Sequence, residues 1–200
     1  MPMKLMKKNV FALHFFAGLT MLMIAPPAFA APGGAADMFA NFYSSGRQIF
    51  NFLGGAAFVA GFLITASSVF KFKEYAESGG RMTLKTPIML LVAGVLLVGL
   101  QSTISITSGT MGLGPMDFGV SRVGNVSNDG FNAAMRGILM FVKVVGVIAV
   151  FRGILILKKI GEGQQGGEMG RALTHILGGA AAVNINATIN MLANTVGMTL

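Results

Sequence analysis

Ile49-Phe-Asn-Phe-Leu-Gly-Gly-Ala-Ala-Phe-Val-Ala-Gly-Phe-Leu-Ile-Thr-Ala-Ser-Ser-Val-Phe70, then Lys71-Phe-Lys73-Glu-Tyr-Ala-Glu77-Ser-Gly-Gly-Arg81-Met-Thr-Leu-Lys85, then a second uncharged run opening at Pro87 and passing Leu100, is the stretch whose reading decides the fold. No charge falls between Gln48 and Phe70. At about 1.5 Å of rise per helical residue, that length crosses a hydrocarbon core of about 30 Å. The loop between the two runs carries four positive charges, Lys71, Lys73, Arg81 and Lys85. The unit reads as a membrane hairpin with a basic tip.

Sliding this unit along the chain until Gly61 falls on Gly146 lays it over a second one without a gap, and ten positions coincide, Val59/Val144 among them. The other nine are Gly61/Gly146, Lys73/Lys158, Glu77/Glu162, Gly94/Gly179, Val98/Val183, Thr103/Thr188, Ile104/Ile189, Thr110/Thr195 and Gly112/Gly197. A composition rich in Gly, Ala, Val and Thr produces chance identities. The charged loop, both helix lengths and the segment endings nevertheless fall in register together, which points to an internal duplication.

The chain has 200 residues, 54% of them hydrophobic and 11% charged, whereas a soluble domain carries about 25% charged residues. A large soluble core is excluded. The formal charge of +8 includes Lys4, Lys7 and Lys8. Without them, 12 basic residues face 7 acidic ones. The excess sits beside the apolar spans, so it reads as topology and anionic-lipid contact, with no nucleic-acid site evident. The absence of cysteine rules out disulfides and thiolate metal sites.

Residues 1–30 have the three parts of a secretory signal: the basic Lys4, Lys7 and Lys8, an apolar run from Val10 to Ile24, and Ala28-Phe29-Ala30 as a small-x-small cleavage site. An uncleaved anchor would leave the same orientation. Residues 31–48 read as a periplasmic lead-in ending in an aromatic belt of Phe39, Phe42 and Tyr43. The loop from Lys71 to Lys85 has four basic residues and that from Lys158 to Arg171 has three, Lys158, Lys159 and Arg171. Residues 113–136 hold two, Arg122 and Arg136. Both hairpin tips are therefore expected in the cytoplasm, and both mature termini in the periplasm. The expected fold is an all-α membrane protein: a cleavable signal peptide, then four transmembrane helices at about 49–70, 87–106, 137–157 and 172–196, forming tandem hairpins over 49–112 and 137–200.

Lys143 and Arg152 are the charges inside these spans. Placed near opposite ends of the third helix, they can extend their stems to opposite headgroup layers; the alternative is a buried role, such as pairing with a partner's carboxylate. On the fourth helix Thr174, Gly178, Ala182, Asn186, Asn190 and Asn194 recur every four residues. Small residues let helix backbones approach and amides bond across to neighbours, so this stripe reads as a helix-packing and assembly face. A polar pore lining is the sharper alternative. Ala57, Gly61 and Thr65 form a lesser version on the first helix, expected to meet that stripe.

Gly161-Glu-Gly163-Gln-Gln-Gly166 matches a dinucleotide-binding pattern but follows a membrane span, where the required strand is missing. His175 has no carboxylate or second His at ligand spacing. With Asp37, Asp117 and Asp129 outside and Glu74, Glu77, Glu162 and Glu168 inside, no catalytic set can be assembled, and the sequence implies neither an enzyme nor a cofactor or metal.

Phe70-Lys-Phe-Lys-Glu-Tyr-Ala-Glu-Ser-Gly-Gly with Pro87, then Phe151-Arg-Gly-Ile-Leu-Ile-Leu and Leu173-Thr-His-Ile-Leu-Gly-Gly-Ala-Ala-Ala-Val-Asn-Ile, resembles the small inner-membrane proteins of type IVB secretion systems. The match is nearest to the IcmC/DotE group of the Dot/Icm apparatus and its TraQ-like relatives on IncI-type conjugative plasmids, with IcmD-like and DotV-like proteins as related alternatives. It covers roughly residues 49–100 and 137–190. The resemblance implies a non-enzymatic inner-membrane subunit of an exporting machine, partnered by other secretion or conjugation membrane proteins and by lipid, with a homo-oligomer left open. The layout is also that of two conjugative pilins in tandem, and a small channel or carrier is the competing reading.

Overall fold

The apolar run that begins at Ile49 does not start a helix there. In the computed structural model, which describes residues 35–79, 81, 83–116, 129–163 and 168–197, the first helix, α1, spans Ala35–Glu77 and absorbs most of the expected lead-in. Nothing between Ala35 and Ile49 stops it: there is no proline, and its one acid, Asp37, lies in the first turn, where it favours the helix dipole. Its 43 residues make it about 64 Å long. The signal segment and half of the expected exterior loop, 117–128, lie outside the described residues.

After Gly79, whose φ of 61° closes the helix in the left-handed region, α2 runs over Lys85–Val98. Pro87 falls in its first turn, where a missing N–H costs no hydrogen bond. α3 spans Leu100–Thr110, α4 Asp129–Gly161, α5 Met169–Val183 and α6 Ile185–Val196. Every element among the described residues is helical.

The expected second and fourth spans, 87–106 and 172–196, are each broken. α3 turns 94° from α2 at Gly99, and α6 turns 92° from α5 at Asn184. In the register that lays Gly61 on Gly146, Gly99 falls on Asn184. The two break residues share one backbone conformation, φ −100° and ψ 40° against φ −98° and ψ 45°. Glycine is a poor helix former, and asparagine competes for backbone hydrogen bonds. The 14 residues of α2 and 15 of α5 reach about 21 and 23 Å, short of the hydrocarbon thickness. Among the described residues, α1 and α4 alone are long and apolar enough to cross a membrane, making two spans, or four if each bent pair counts as one.

Packing follows the glycines. A Cβ on Gly61 would lie 2.5 Å from the Val98 nitrogen and 2.7 Å from the Gly94 carbonyl oxygen, so α1 and α2 touch backbone to backbone. A Cβ on Gly146 would lie 2.8 Å from the Val183 nitrogen and 2.7 Å from the Gly179 oxygen, joining α4 to α5 in the same way. Gly94 likewise faces Thr65 as Gly179 faces Val150, again in the same register. Gly112 and Gly197, after α3 and α6, take the same left-handed conformation, with φ 74° and 76°.

The α1–α2 pair then packs on α4. Gly137 receives the Phe39 side chain, Gly46 receives Met140, Phe42 and Phe141 rings stand 6.1 Å apart, and Gly161 at the end of α4 lies against Met89 in the second turn of α2. These contacts bring the basic ends of α1 and α4 to the same end of the bundle. The buried apolar cluster runs through the seam, from Phe50 and Ala57 through Leu90 and Leu97 to Val147, Val150 and Ile154.

Candidate functional site

The surfaces singled out in the sequence separate in the structure into a packed face and an open one. Ala57 and Gly61 are buried, Ala57 in the apolar cluster and Gly61 against α2. The expected meeting of this face with the fourth span does not occur, because α2 follows within a short loop and supplies Gly94 at the crossing.

On α5 the packing residue is Gly179, not Gly178: a Cβ on Gly178 would meet nothing within 4 Å, whereas one on Gly179 would strike Gly146 and Val150. The cause is helical drift. A step of four residues overshoots a full turn by about 40°, so the stripe through Thr174, Gly178 and Ala182 winds off the contact face. Ala172, Ile176, Gly179 and Val183, alternating steps of four and three, stay on it and are buried. Ala182 is half-buried at its margin.

The amide part of the stripe is interrupted by the break at Asn184. Asn186 is half-buried, while Asn190 and Asn194 are exposed on α6, which leaves α5 nearly at a right angle. They do not prolong the α5 face. The buried amide is Asn184 itself, whose Nδ2 donates to the Gly114 carbonyl at 3.4 Å, linking the second break to the end of the α3 segment. The cue for it in the sequence is its alignment with Gly99, a second weak helix former at the same register.

Lys143 is fully buried, and the expectation that it extends to a headgroup layer is overturned. α4 begins at Asp129 instead of residue 137, so two more helical turns precede Lys143 than the apolar run suggests, and its side chain is enclosed by the bundle. Arg152 is exposed on the opposite side of the same helix, as their spacing requires.

The basic residues gather at the helix ends. Lys71 pairs with Glu74 at 2.6 Å, Lys73 with Glu77 at 3.6 Å and Lys158 with Glu162 at 2.6 Å. All join residues three or four apart at exposed or half-buried helix ends, and such pairs contribute at most about 1 kcal/mol. Arg81, Lys85, Lys159 and Arg171 are exposed, and the Arg171 carbonyl lies 2.9 Å from the Nδ1 of His175. Gly163 takes a φ of 69° just after α4, as a helix-terminating glycine does.

Together these features define, among the described residues, an all-helical architecture with two to four candidate membrane spans. Compared with protein-family models, curated proteins and solved structures, the chain matches none.

Proposed function

We propose that the chain is a structural, assembly-forming subunit of the bacterial inner membrane, built from two copies of one helical unit over 49–112 and 137–200, and working in a type IVB secretion or conjugal transfer apparatus. The observation that carries the structural part is the recurrence, at one register, of the same glycine crossing and the same break: Gly61 on Gly94 and Gly146 on Gly179, with bends at Gly99 and Asn184. The glycines of both crossings coincide in sequence, and the two breaks coincide in register and conformation, which supports one ancestral hairpin used twice. The apparatus is supplied by the sequence resemblance alone. In this reading the two basic ends face the cytoplasm and the termini the periplasm.

A strain lacking the protein is expected to grow normally while losing conjugation or effector export, and the tagged protein is expected to co-purify with other membrane components of the apparatus. Normal transfer by the deletion strain would sink the proposal. The two broken helices favour a second reading as a small channel or carrier, since interrupted helices at corresponding positions of two repeats recur in transporters. Reconstituted protein would then carry ions or solutes across liposomes, and flux no higher than in empty vesicles counts against it.

A further inference from the structure

The two units do not meet as mirror partners. α2 packs on α4 and α3 on α5, but neither reciprocal pair, α1 with α5 or α6 with α2, is packed among the described residues. On the long helices the same asymmetry appears: α1 offers Gly46 to Met140 of α4, whereas the repeat register aligns Gly46 with Phe131 and Met140 with Gly55. The interface is head-to-tail, one face of the first unit against a different face of the second. A head-to-tail contact between like units leaves one face of each kind open, and repetition closes a ring or extends a filament.

Both open faces are present. Val147 and Ile154 of α4, in the buried cluster shared with Leu90 and Leu97 of the first unit, are 3% and 0% exposed; their counterparts on α1, Phe62 and Val69, are 62% and 62% exposed. Val144 and Val59 differ in the same sense. On the other side, Met89 covers Gly161, with the buried Ala93 one turn above it; Leu97, a turn further, borders the α1 crossing at Gly61, as Ala182 borders Gly146. Their counterparts are Thr174, Gly178 and Ala182: two exposed, one half-buried, and room for a side chain over Gly178. The stripe that winds off the intramolecular contact is thus the second unit's copy of the face by which the first unit holds α4.

We infer that these two faces take a second copy of this chain, the Thr174, Gly178 and Ala182 stripe of one molecule seating on the Val59, Phe62 and Val69 face of α1 in the next. This rests on the two-unit reading above. Side-chain sizes support it: Gly46 facing Met140 inside the chain becomes Phe131 facing Gly55 between chains, and Met89 facing Gly161 becomes Thr174 facing Ala76, so each pair keeps roughly its combined volume. Phe131 and Gly55 are both exposed, and nothing lies within 4 Å of a Cβ on Gly55.

The chain has no cysteine, so disulfide trapping in native membranes tests the arrangement. An Ala76→Cys chain co-expressed with a Thr174→Cys chain carrying a different tag is expected to give a mixed disulfide dimer on oxidation, with no dimer from either variant alone. Both substitutions in one chain should give a ladder beyond the dimer, and Gly178→Leu in the Thr174→Cys chain should abolish the mixed dimer. Met89→Cys with Gly161→Cys reports the contact between units inside one chain. Closure of that internal bond without a mixed dimer would overturn the proposal and leave lipid on the α1 face. Dimers only between like sites would overturn it in favour of a two-fold pair, and persistence of the mixed dimer with Gly178→Leu would also count against it. Failure of the internal bond would remove the unit–unit contact itself, and the proposal with it.

Discussion

The Thr103 hydroxyl donates to the Leu96 carbonyl at 2.9 Å, reaching back across the 94° turn at Gly99. An uninterrupted helix would satisfy that carbonyl with a backbone N–H one turn further on. At the turn a side chain takes that place, and in the second unit Thr188, the counterpart of Thr103, does the same for Ala181 at 2.8 Å. Both breaks are therefore built into the sequence, since an apolar environment penalises a carbonyl left without a donor.

Replacing Thr103 and Thr188 by Val, which keeps shape but removes the hydroxyl, is expected to cost about 0.5–2 kcal/mol at each site, the range for polar contacts inside membranes. The two hydrogen bonds share no partner, so the losses should add in the double variant. Detergent-driven unfolding of the single and double variants measures this. A double variant as stable as the parent would show that the breaks need no hydroxyl.

At the α1–α2 crossing, Gly61→Leu must drive the helices apart, because the Val98 nitrogen and Gly94 oxygen are backbone atoms that cannot swing aside. Gly146→Leu meets the same obstacle at α4–α5. Each should lose on the order of 1–3 kcal/mol or more, and the losses should be similar. Gly55→Leu, with open space around it, serves as the tolerated control. Equal stability of all three would refute the backbone contact.

The helical class was legible in the sequence because membrane insertion imposes a length of apolar chain, and Gly61 was legible as a close-approach residue, although its partner was expected on the fourth span and lies on α2. The breaks were not. Gly99 and Asn184 sit within apolar runs that read as continuous, and a weak helix former inside a span is commonly tolerated when neighbours restore its hydrogen bonds. The choice of Gly178 over Gly179 failed for a different reason: adjacent glycines leave the contact face undecided until the alternating steps of four and three through Ala172, Ile176, Gly179 and Val183 are followed. Lys143 was misplaced because α4 starts at Asp129, about two turns before the apolar run suggested.

Burial of Lys143 predicts that a water-soluble amine reagent leaves it unmodified in the folded protein while modifying exposed Lys73 and Lys159. Unfolding in denaturant should bring Lys143 to the same extent of reaction. Mass spectrometry of the labelled peptides distinguishes the sites. Rapid modification of Lys143 in the folded state would return it to a headgroup position.

Orientation is tested with single cysteines at Ser44 and Glu162, both exposed, and at the half-buried Ser78. The two basic loops hold seven Lys and Arg residues against two in 113–136, so positions 78 and 162 are expected in the cytoplasm and position 44 outside. An impermeant thiol reagent should label position 44 once the outer membrane is opened, and should miss the other two until the inner membrane is broken. The reverse pattern overturns the orientation.

Gly178 and Gly179 are neighbours in sequence with opposite surroundings, so the same substitution separates the folding role from the docking role. At Gly179 a side chain would press on the Gly146 oxygen and the Val150 nitrogen. Leu there should destabilise the isolated protein by roughly the few kcal/mol of an overpacked core and reduce its accumulation in the membrane. At Gly178 nothing lies within 4 Å. Leu there adds a residue that the bilayer accepts and strikes no part of its own chain, so the detergent-purified monomer should unfold within about 0.5 kcal/mol of the parent. Unfolding of the two purified variants, side by side, decides the matter. If Gly178→Leu proves the more damaging to the monomer, the contact face of α5 has been assigned to the wrong side of the helix, and the open stripe through Thr174 and Ala182 would have to lie inside the fold.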